Sequence, residues 1–407
     1  MHVVIVGCGV AGITAAITVR ENNPEAKVSI CTDENHFYYP RPRLYEVLSG
    51  EVNPEDIYAF PEQWYEKRGI KVYLNKKAMN IASGNKEIRL ENNTIINYDK
   101  LLLANGACPF IPPVKGVEKA GVFTLRSITD ALTIKEYAKK TRKTIIVGGG
   151  LLGLEFAASL RKLGQEVEVV EISPHLLPLQ LDHDGAAILK NRIEVLGITI
   201  QLGVKTTEIL GKETFSGIAL DNGKELPGDL VLFSAGIRSN VNLAANAGIK
   251  VNKGVIVDQY LQTSVNDVYV AGDVAEFEGK VYGIIPAAEE QARVAALNIL
   301  EKGKRVYRGT IPSNTLKIVG MDLTSMGIIN TESSKYEEIK KINRETGIYK
   351  KIVLDQGKIV GAIILGDKRM TSAIRRLMDL GTDVSQYKAY LLEEDYSKLA
   401  PLLLNTK

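Results

Sequence analysis

Residues 3–16, VVIVGCGVAGITAA, decide how the rest of the chain is read. A short apolar run gives a buried strand, Gly7, Gly9 and Gly12 give a turn with the spacing G-x-G-x-x-G, and an alanine-rich segment opens a helix. Each glycine has a mechanical reason. The first permits the tight turn, the second lets a pyrophosphate reach the backbone, and the third lets helix pack on strand. The helix N-terminus beyond them offers unpaired N–H groups and a positive dipole end to phosphate. One such loop also serves simply to join a strand to a helix. A second copy changes the weight of the observation: residues 144–157, TIIVGGGLLGLEFA, repeat strand, turn and helix with Gly148, Gly150 and Gly153. Two complete copies imply two dinucleotides.

The remaining composition is ordinary. A chain of 407 residues with 45% hydrophobic content supports two or three domains with full cores. The net charge of +3 argues against a nucleic-acid surface and leaves a mild preference for an acidic partner. Cys8, Cys31 and Cys108 are too far apart for a C-x-x-C pair or iron–sulfur spacing. No apolar run reaches the roughly 18 to 20 residues of a membrane span, and Met1 leads straight into the first strand, so the expected setting is the cytoplasm with no membrane span. No metal-ligand spacing is present.

In chain order, a helix over 11–21 leads to the strand Lys27–Cys31 and then to Thr32-Asp33-Glu34, where Asp33 or Glu34 fits the acid that binds an adenosine ribose, against the plainer alternative of a solvated turn. Phe37 to Leu44, FYYPRPRL, is aromatic, stiffened by proline and basic, so Arg41 and Pro42 suit a phosphate or a flat ring system. Residues 98–107, YDKLLLANGA, are a strand ending in the Asn105-Gly106 turn. The prolines that follow mark the exit from the first domain. In the second copy Glu171 ends the second strand, 18 residues after Gly153. A carboxylate there accepts hydrogen bonds from a free 2′-hydroxyl and repels a 2′-phosphate, so NADH is expected over NADPH. Residues 255–276 give two strands and the Gly272-Asp273 turn, and a helix over 286–300 begins at Pro286. From 310 onward the pattern changes to short strands over 316–319, 325–329, 347–354 and 358–365, then helical stretches over 370–380 and 385–392. The final leucines, Leu391, Leu392, Leu399 and Leu402 to Leu404, are expected to pack on that domain or on a second subunit.

The ordered set VVIVGCGVAG, LLLANGACP, TIIVGGGLLGLE, VLFSAGIRSN and VYVAGDVAE resembles the FAD-dependent pyridine nucleotide-disulfide oxidoreductase family over nearly the whole chain. Within it, YYPRPRLYEVLSG, LQLDHDGAAIL and SNTLKIVGMDLTSMG are most similar to the NADH:rubredoxin oxidoreductases and the flavoprotein module of NADH-dependent nitrite reductase large subunits. The resemblance implies an α/β fold with two Rossmann-like dinucleotide-binding domains, each a three-layer ββα arrangement, and a C-terminal α+β domain. FAD would lie in a discontinuous domain, 1–112 and 237–309, NADH in 113–236, and the interface domain would be 310–407. FAD-site residues implied are Gly7, Gly9, Gly12, Asp33, Glu34, Arg41, Pro42, Asn105, Gly106, Gly272 and Asp273. For NADH they are Gly148, Gly150, Leu152, Gly153, Glu155, Glu171 and Gly236, with Glu155 at the nicotinamide and flavin edge. The sequence departs from the family at Asn105, where threonine is usual, at Leu179, where arginine is common, and at Glu46, where many relatives carry lysine.

No cysteine lies between Asp33 and Gly50, where single-cysteine members of the family place theirs. Cys8 and Cys31 read as small packed residues and Cys108 as structural. With no catalytic cysteine, electrons taken from NADH are expected to pass from FAD outward to a small acidic electron-carrier protein such as rubredoxin. A homodimer through the C-terminal domain is compatible with the resemblance. Two rival readings stay open: a peripheral type II NADH dehydrogenase that reduces quinone, and an NADH-sensing flavoprotein without turnover.

Overall fold

The structure, a computed structural model, describes residues 1–331, 335–393 and 397–404, with the side chains of 313–318 and 404 outside the description. The chain forms two compact units. The first comprises Met1–Phe110, Arg126–Leu132 and Gly236–Thr310, and the second Ile111–Leu125, Thr133–Ala235 and Ile311–Lys407.

The first unit is built on a parallel five-stranded sheet in the order Val268–Val270, Lys100–Leu103, His2–Val6, Lys27–Cys31, Ile70–Tyr73. The central strand reads as continuous apolar sequence because both faces are covered, and Val3, Val4 and Ile5 are fully buried. The helices Val10–Asn22 and Ile285–Leu300 pack against each other through alanines, with Ala15, Ala16, Ala292, Ala295 and Ala296 essentially inaccessible. Small side chains allow this close approach. A three-stranded antiparallel sheet, Ala78–Ala82, Glu87–Leu90 and Ile95–Asn97, supplies the third layer, with Ile81, Ile88, Leu90 and Ile96 in the same core.

The second unit repeats the plan. Its parallel sheet runs Ile198–Leu202, Glu166–Glu171, Lys143–Val147, Leu230–Phe233, Val122–Thr124, with the helix Leu151–Lys162 after the glycine turn and an antiparallel sheet Thr206–Leu210, Gly217–Leu220, Glu225–Pro227. In both units the strand before the glycine turn is central, so its C-terminal end lies where neighbouring connections leave in opposite directions, the place where open α/β sheets bind ligands.

Residues 313–365 form an antiparallel sheet in the order Ser313–Ile318, Met321–Gly327, Lys358–Leu365, Ile348–Asp355, Glu337–Asn343. The helix Thr371–Asp379 buries Ala373, Ile374 and Leu377 against it, in a core shared with Leu391, Leu392 and Leu399, while Leu402 and Leu403 are partly buried and the Leu404 side chain lies outside the description. One strand here was not among the expected elements, and one expected helical stretch is wound more tightly than an α-helix. Glu337–Asn343, EEIKKIN, is an edge strand that sequence periodicity does not reveal, because all but one of its residues are exposed. Residues 385–390 form a tight 3₁₀ turn instead of an α-helix.

The C-terminal sheet groups with the second unit and is tied to it by a cluster of charged side chains. Asp182, which caps the helix His183–Val195 by accepting from Gly185 N at 3.1 Å, also accepts from Tyr349 Oη at 2.6 Å and Lys351 Nζ at 3.1 Å. Lys351 is buried and reaches Glu338 at 2.7 Å. Burial alone would raise the Glu338 carboxyl, but the donors Lys351, Thr331 and Lys340 overcome it and hold it down at about 2. Asp182 is likewise lowered against the effect of burial, by Tyr349, the Gly185 N–H and Lys351.

Candidate functional site

The two glycine turns have nearly the same geometry. Gly7 N donates to Cys31 O at 2.7 Å, and Gly148 N donates to Val170 O at 2.8 Å, so each turn is tied to the end of the second strand. Gly7 and Gly148 have φ of +106° and +116°, which only glycine adopts freely. A Cβ at Gly7 would lie 2.3 Å from Ala104 O, and one at Gly148 would lie 2.4 Å from Ser234 O. At Gly12 and Gly153 it would meet the carbonyl oxygens of Gly7 and Gly148 at 2.0 and 2.1 Å. The middle glycines differ. Gly9 and Gly150 are extended, precede their helices without any side-chain cap, and have no atom within 4 Å of a Cβ position. Each pair of outer glycines is therefore demanded by the fold, while each middle glycine faces open space at an uncapped helix N-terminus, a cradle for phosphate.

Around the first turn, the structure gathers residues from distant parts of the chain. Glu34 Oε1 pairs with Arg41 Nη2 at 2.6 Å and its Oε2 accepts from Tyr39 Oη; Arg41 also donates to Arg126 O. Arg126 Nη2 pairs with Asp273 Oδ2 at 3.1 Å. Asn105 and Asn240 exchange hydrogen bonds, each side-chain amide donating to the other's carbonyl, at 2.9 and 2.8 Å. Gly272 N donates to Gln291 Oε1 at 2.9 Å, and a Cβ at Gly272 would sit 3.0 Å from Ala11 Cβ, which fixes the turn between the two alanine-rich helices. Pro42 lies in the short 3₁₀ turn Arg41–Arg43 that enters the helix Leu44–Ser49. Two buried polar atoms in this cluster lack any partner, Arg126 Nε and Asn105 Oδ1. A buried donor and a buried acceptor left open cost free energy unless a ligand completes them, so both point to a polar, phosphate-bearing occupant. Burial, and next the adjacent Arg41 charge, weaken the hold of Arg126 on its proton; an anion beside it would oppose that by favouring the charged form.

Arg126 was not picked out by sequence. It lies inside 113–236, yet Arg126–Leu132 belong to the first unit, with Ile128 N donating to Tyr39 Oη at 3.3 Å. A basic residue in LRSITD has no periodic or spacing signal. Register puts neither of the two acids left open at the first ribose position in the place of Glu171, and only their surroundings separate them. Since Cys31 corresponds to Val170 through the Gly7 and Gly148 bonds, Thr32 stands where Glu171 does; Thr32 Oγ1 accepts from Glu34 N at 3.3 Å as Glu171 Oε1 accepts from Ser173 N at 2.8 Å. Glu34 is committed to Arg41 and Tyr39, while Asp33 is exposed.

In the second unit Glu171 is buried, its Oε2 accepting from Gly149 N at 2.6 Å. Leu152 is exposed on the first turn of the helix, and Glu155 lies on its second turn with Oε1 accepting from Val319 N at 2.8 Å. Gly236, at φ +100°, belongs to the first unit, where its carbonyl accepts from Phe110 N at 2.9 Å. Glu46, at the position where relatives carry lysine, is held by Arg43 through two bonds of 2.8 and 2.6 Å.

All three thiols are free. Burial, with Glu34 next, pushes Cys8 up to about 12, and burial does the same to Cys31, so neither supplies a thiolate. Cys108, read from the sequence as structural, is exposed on the strand Ala107–Pro109, its Sγ donating to Arg238 O at 3.6 Å. Among the described residues no group of three or more metal-ligating side chains is present, and no helix is long and apolar enough to cross a membrane.

Two dinucleotide folds in one chain, followed by an antiparallel sheet, define a class of two-nucleotide oxidoreductases. Residues 1–292 match the pyridine nucleotide-disulphide oxidoreductase family, and the chain belongs to it; residues 312–382 match the rubredoxin NAD⁺ reductase C-terminal domain. The chain is 36% identical over 386 residues to a nitrite reductase [NAD(P)H] of Bacillus subtilis, covering 95% of this chain and 48% of that protein. It is 31% identical over 377 residues to the NADH-rubredoxin oxidoreductase of Clostridium acetobutylicum, covering 93% and 94% of the two chains. Among solved structures, a ferredoxin reductase from Rhodopseudomonas palustris superposes with a TM-score of 0.87 at 27% identity, covering 98% of this chain and 99% of that one. The chain spans about half the length of the curated relatives it matches first, 41% to 51% of each.

Proposed function

We propose that this chain is an FAD-dependent reductase that takes a hydride from NADH and passes electrons to a small acidic redox protein such as rubredoxin, acting in the cytoplasm. The observation that carries the reading is the duplicated turn: Gly9 and Gly150 each leave open space at an uncapped helix N-terminus, one in each unit. Bound FAD supplies the step from two-electron hydride donor to electron-carrier acceptor. The protein's own part is binding and orientation. Gly7, Gly9 and Gly12 shape the FAD phosphate cradle, and Arg126 Nε and Asn105 Oδ1 supply the open donor and acceptor beside it. Asp33 takes the ribose role. Glu34 instead holds Arg41, which with Pro42, Gly106, Gly272 and Asp273 lines the rest of the site.

In the second unit Gly148, Gly150, Leu152 and Gly153 receive NADH, Glu171 binds its ribose and Glu155 faces the nicotinamide. The carboxylate of Glu171, pinned by Gly149 N–H and Ser173 N–H, favours NADH over NADPH. Neither Cys8 nor Cys31 offers a thiolate relay, since both are buried and held protonated. The helix Thr371–Asp379 exposes Arg376 on its outer side, which suits an acidic carrier. A homodimer through the C-terminal sheet belongs to the same reading.

The test mixes the FAD-loaded protein anaerobically with NADH in a stopped-flow spectrometer and then adds oxidised rubredoxin. Rapid loss of flavin absorbance followed by rubredoxin reduction is expected. Flavin bleaching with electrons delivered to a quinone and not to rubredoxin would replace the carrier assignment. Absence of bleaching would overturn the enzyme reading.

A further inference from the structure

The strands Ser313–Ile318 and Met321–Gly327 pair up to Ile318 and Met321, so the hairpin between them has a turn of two residues, Val319 and Gly320. Their φ values are +47° and +81°. Two successive left-handed residues define the turn that suits a twisted hairpin, and its first position ordinarily holds Asn, Asp or Gly. A β-branched residue there is a genuine outlier. Such outliers persist where the surroundings over-determine them, and the direction of inference runs from the outlier to a role. The first N–H of a two-residue turn is not used by the hairpin ladder. Here it is spent outside the hairpin: Val319 N donates to Glu155 Oε1 at 2.8 Å. Val319 itself is buried, which holds the tip in place. A strained backbone in one segment thus meets the carboxylate of another, 164 residues away.

We propose that Val319 is a positioning residue: its backbone N–H, presented by the tip of the C-terminal hairpin, sets the orientation of the Glu155 carboxylate toward NADH. The inference rests on the assignment of Glu155 to the nicotinamide edge. It gives the C-terminal domain a part in the NADH step, beyond contact with a partner. A carboxylate on a three-bond side chain has several rotamers of similar energy, and a fixed donor selects one of them. The plainer alternative is that Val319 is retained for packing alone, in which case its amide is incidental to Glu155.

The test compares Val319→Pro, which has no N–H and cannot adopt positive φ, with Val319→Asn, which keeps the N–H and favours the turn, both in the FAD-loaded full chain. An insertion of one glycine between Val319 and Gly320 displaces the N–H without forbidding the fold, in case the proline variant does not fold. Two readouts are needed. With ¹⁵N-valine labelling, the Val319 amide proton is expected downfield in the wild type and moves upfield in Glu155→Gln. In stopped flow, the Pro and insertion variants are expected to lower the rate constant of flavin reduction by NADH about tenfold relative to Val319→Asn. Adding Glu155→Gln to either should cause little further loss, because residues acting through one contact are not additive. An unshifted Val319 amide, or fully additive losses, would overturn the inference and leave the NADH reductase reading intact. A Glu155→Gln rate equal to wild type would overturn it too, by removing the role to be positioned. A wild-type flavin that NADH does not bleach strikes the underlying reading instead.

Discussion

Gly7 and Gly9 in the first turn, and Gly148 and Gly150 in the second, separate what the fold needs from what the ligand needs, and alanine substitution reads that separation directly. At Gly7 a methyl group would sit 2.3 Å from Ala104 O and 2.7 Å from its carbonyl carbon, with backbone that cannot swing aside, and φ of +106° adds strain of its own. Left-handed geometry costs about 1–2 kcal/mol for an L-residue, and displacing a buried strand end brings the expected loss for Gly7→Ala to about 3 kcal/mol or more. At Gly9 the same methyl meets nothing within 4 Å, and φ of −86° is open to any residue. Restricting the unfolded chain stabilises by about 0.4–1 kcal/mol, while exchanging glycine for alanine at a helix N-cap costs a similar amount, about 0.5–1 kcal/mol. The two offset, so FAD-free Gly9→Ala should melt in urea near the wild type. Its FAD affinity should nonetheless fall at least about tenfold, or about 1.4 kcal/mol, since the methyl occupies the approach to the backbone. Gly148→Ala and Gly150→Ala should repeat the contrast, with Gly150→Ala weakening NADH binding while FAD is retained. Urea melts of the FAD-free variants, flavin fluorescence titration and NADH titration measure the three quantities. The reasoning is refuted if Gly9→Ala destabilises the FAD-free fold as much as Gly7→Ala does, or binds FAD with wild-type affinity.

Further outcomes follow from the ion cluster and the ribose acid. Lys351→Met removes the buried cation shared by Asp182 and Glu338 and leaves only the more exposed Lys340 beside both, and should cost about 1–3 kcal/mol in chemical denaturation; a loss well under 1 kcal/mol, about the worth of an exposed pair, would show the cluster to be solvated in practice. Because Asp182 and Glu338 are both held below their ordinary range, with Glu338 at about 2, the stability they contribute is complete above pH about 4.5 and declines as pH falls toward 2. Acid melts of Glu338→Gln should therefore be shallower than those of the wild type over that window, and identical slopes would argue against the linkage. Glu171→Ser removes the charge that repels a 2′-phosphate and should narrow the preference for NADH over NADPH about tenfold in steady-state kcat/KM; an unchanged ratio would place the discrimination elsewhere.

Much of the fold was legible because two short-range rules are strong. The apolar strands and the glycine spacing are local, and each appears twice, so the parallel sheets and their nucleotide-facing ends could be read directly. The strand Glu337–Asn343 was not, since its exposed face leaves no alternation to detect. Side-chain partnerships fared worse than elements. Asp33 and Glu34 are neighbours in sequence, and only Arg41 and Tyr39, several residues on, decide which of them is committed. Arg126 and the hairpin amide of Val319 had no signal at all, because each acts through a contact made across long separations: Arg126 with Asp273, Val319 with Glu155.

The excursion of Arg126–Leu132 into the first unit has a consequence for taking the molecule apart. A gene cut at 112 and 237 looks like the removal of one self-contained nucleotide module, but it carries away the guanidinium that pairs with Asp273, the carbonyl that accepts from Arg41 and the Ile128 N–H that donates to Tyr39. The remnant, 1–112 joined to 237–309, would keep its sheet and its glycine turn and lose the far wall of its own cradle. Swapping nucleotide modules between relatives would therefore need seams placed after residue 132, so that the recipient keeps its own arginine.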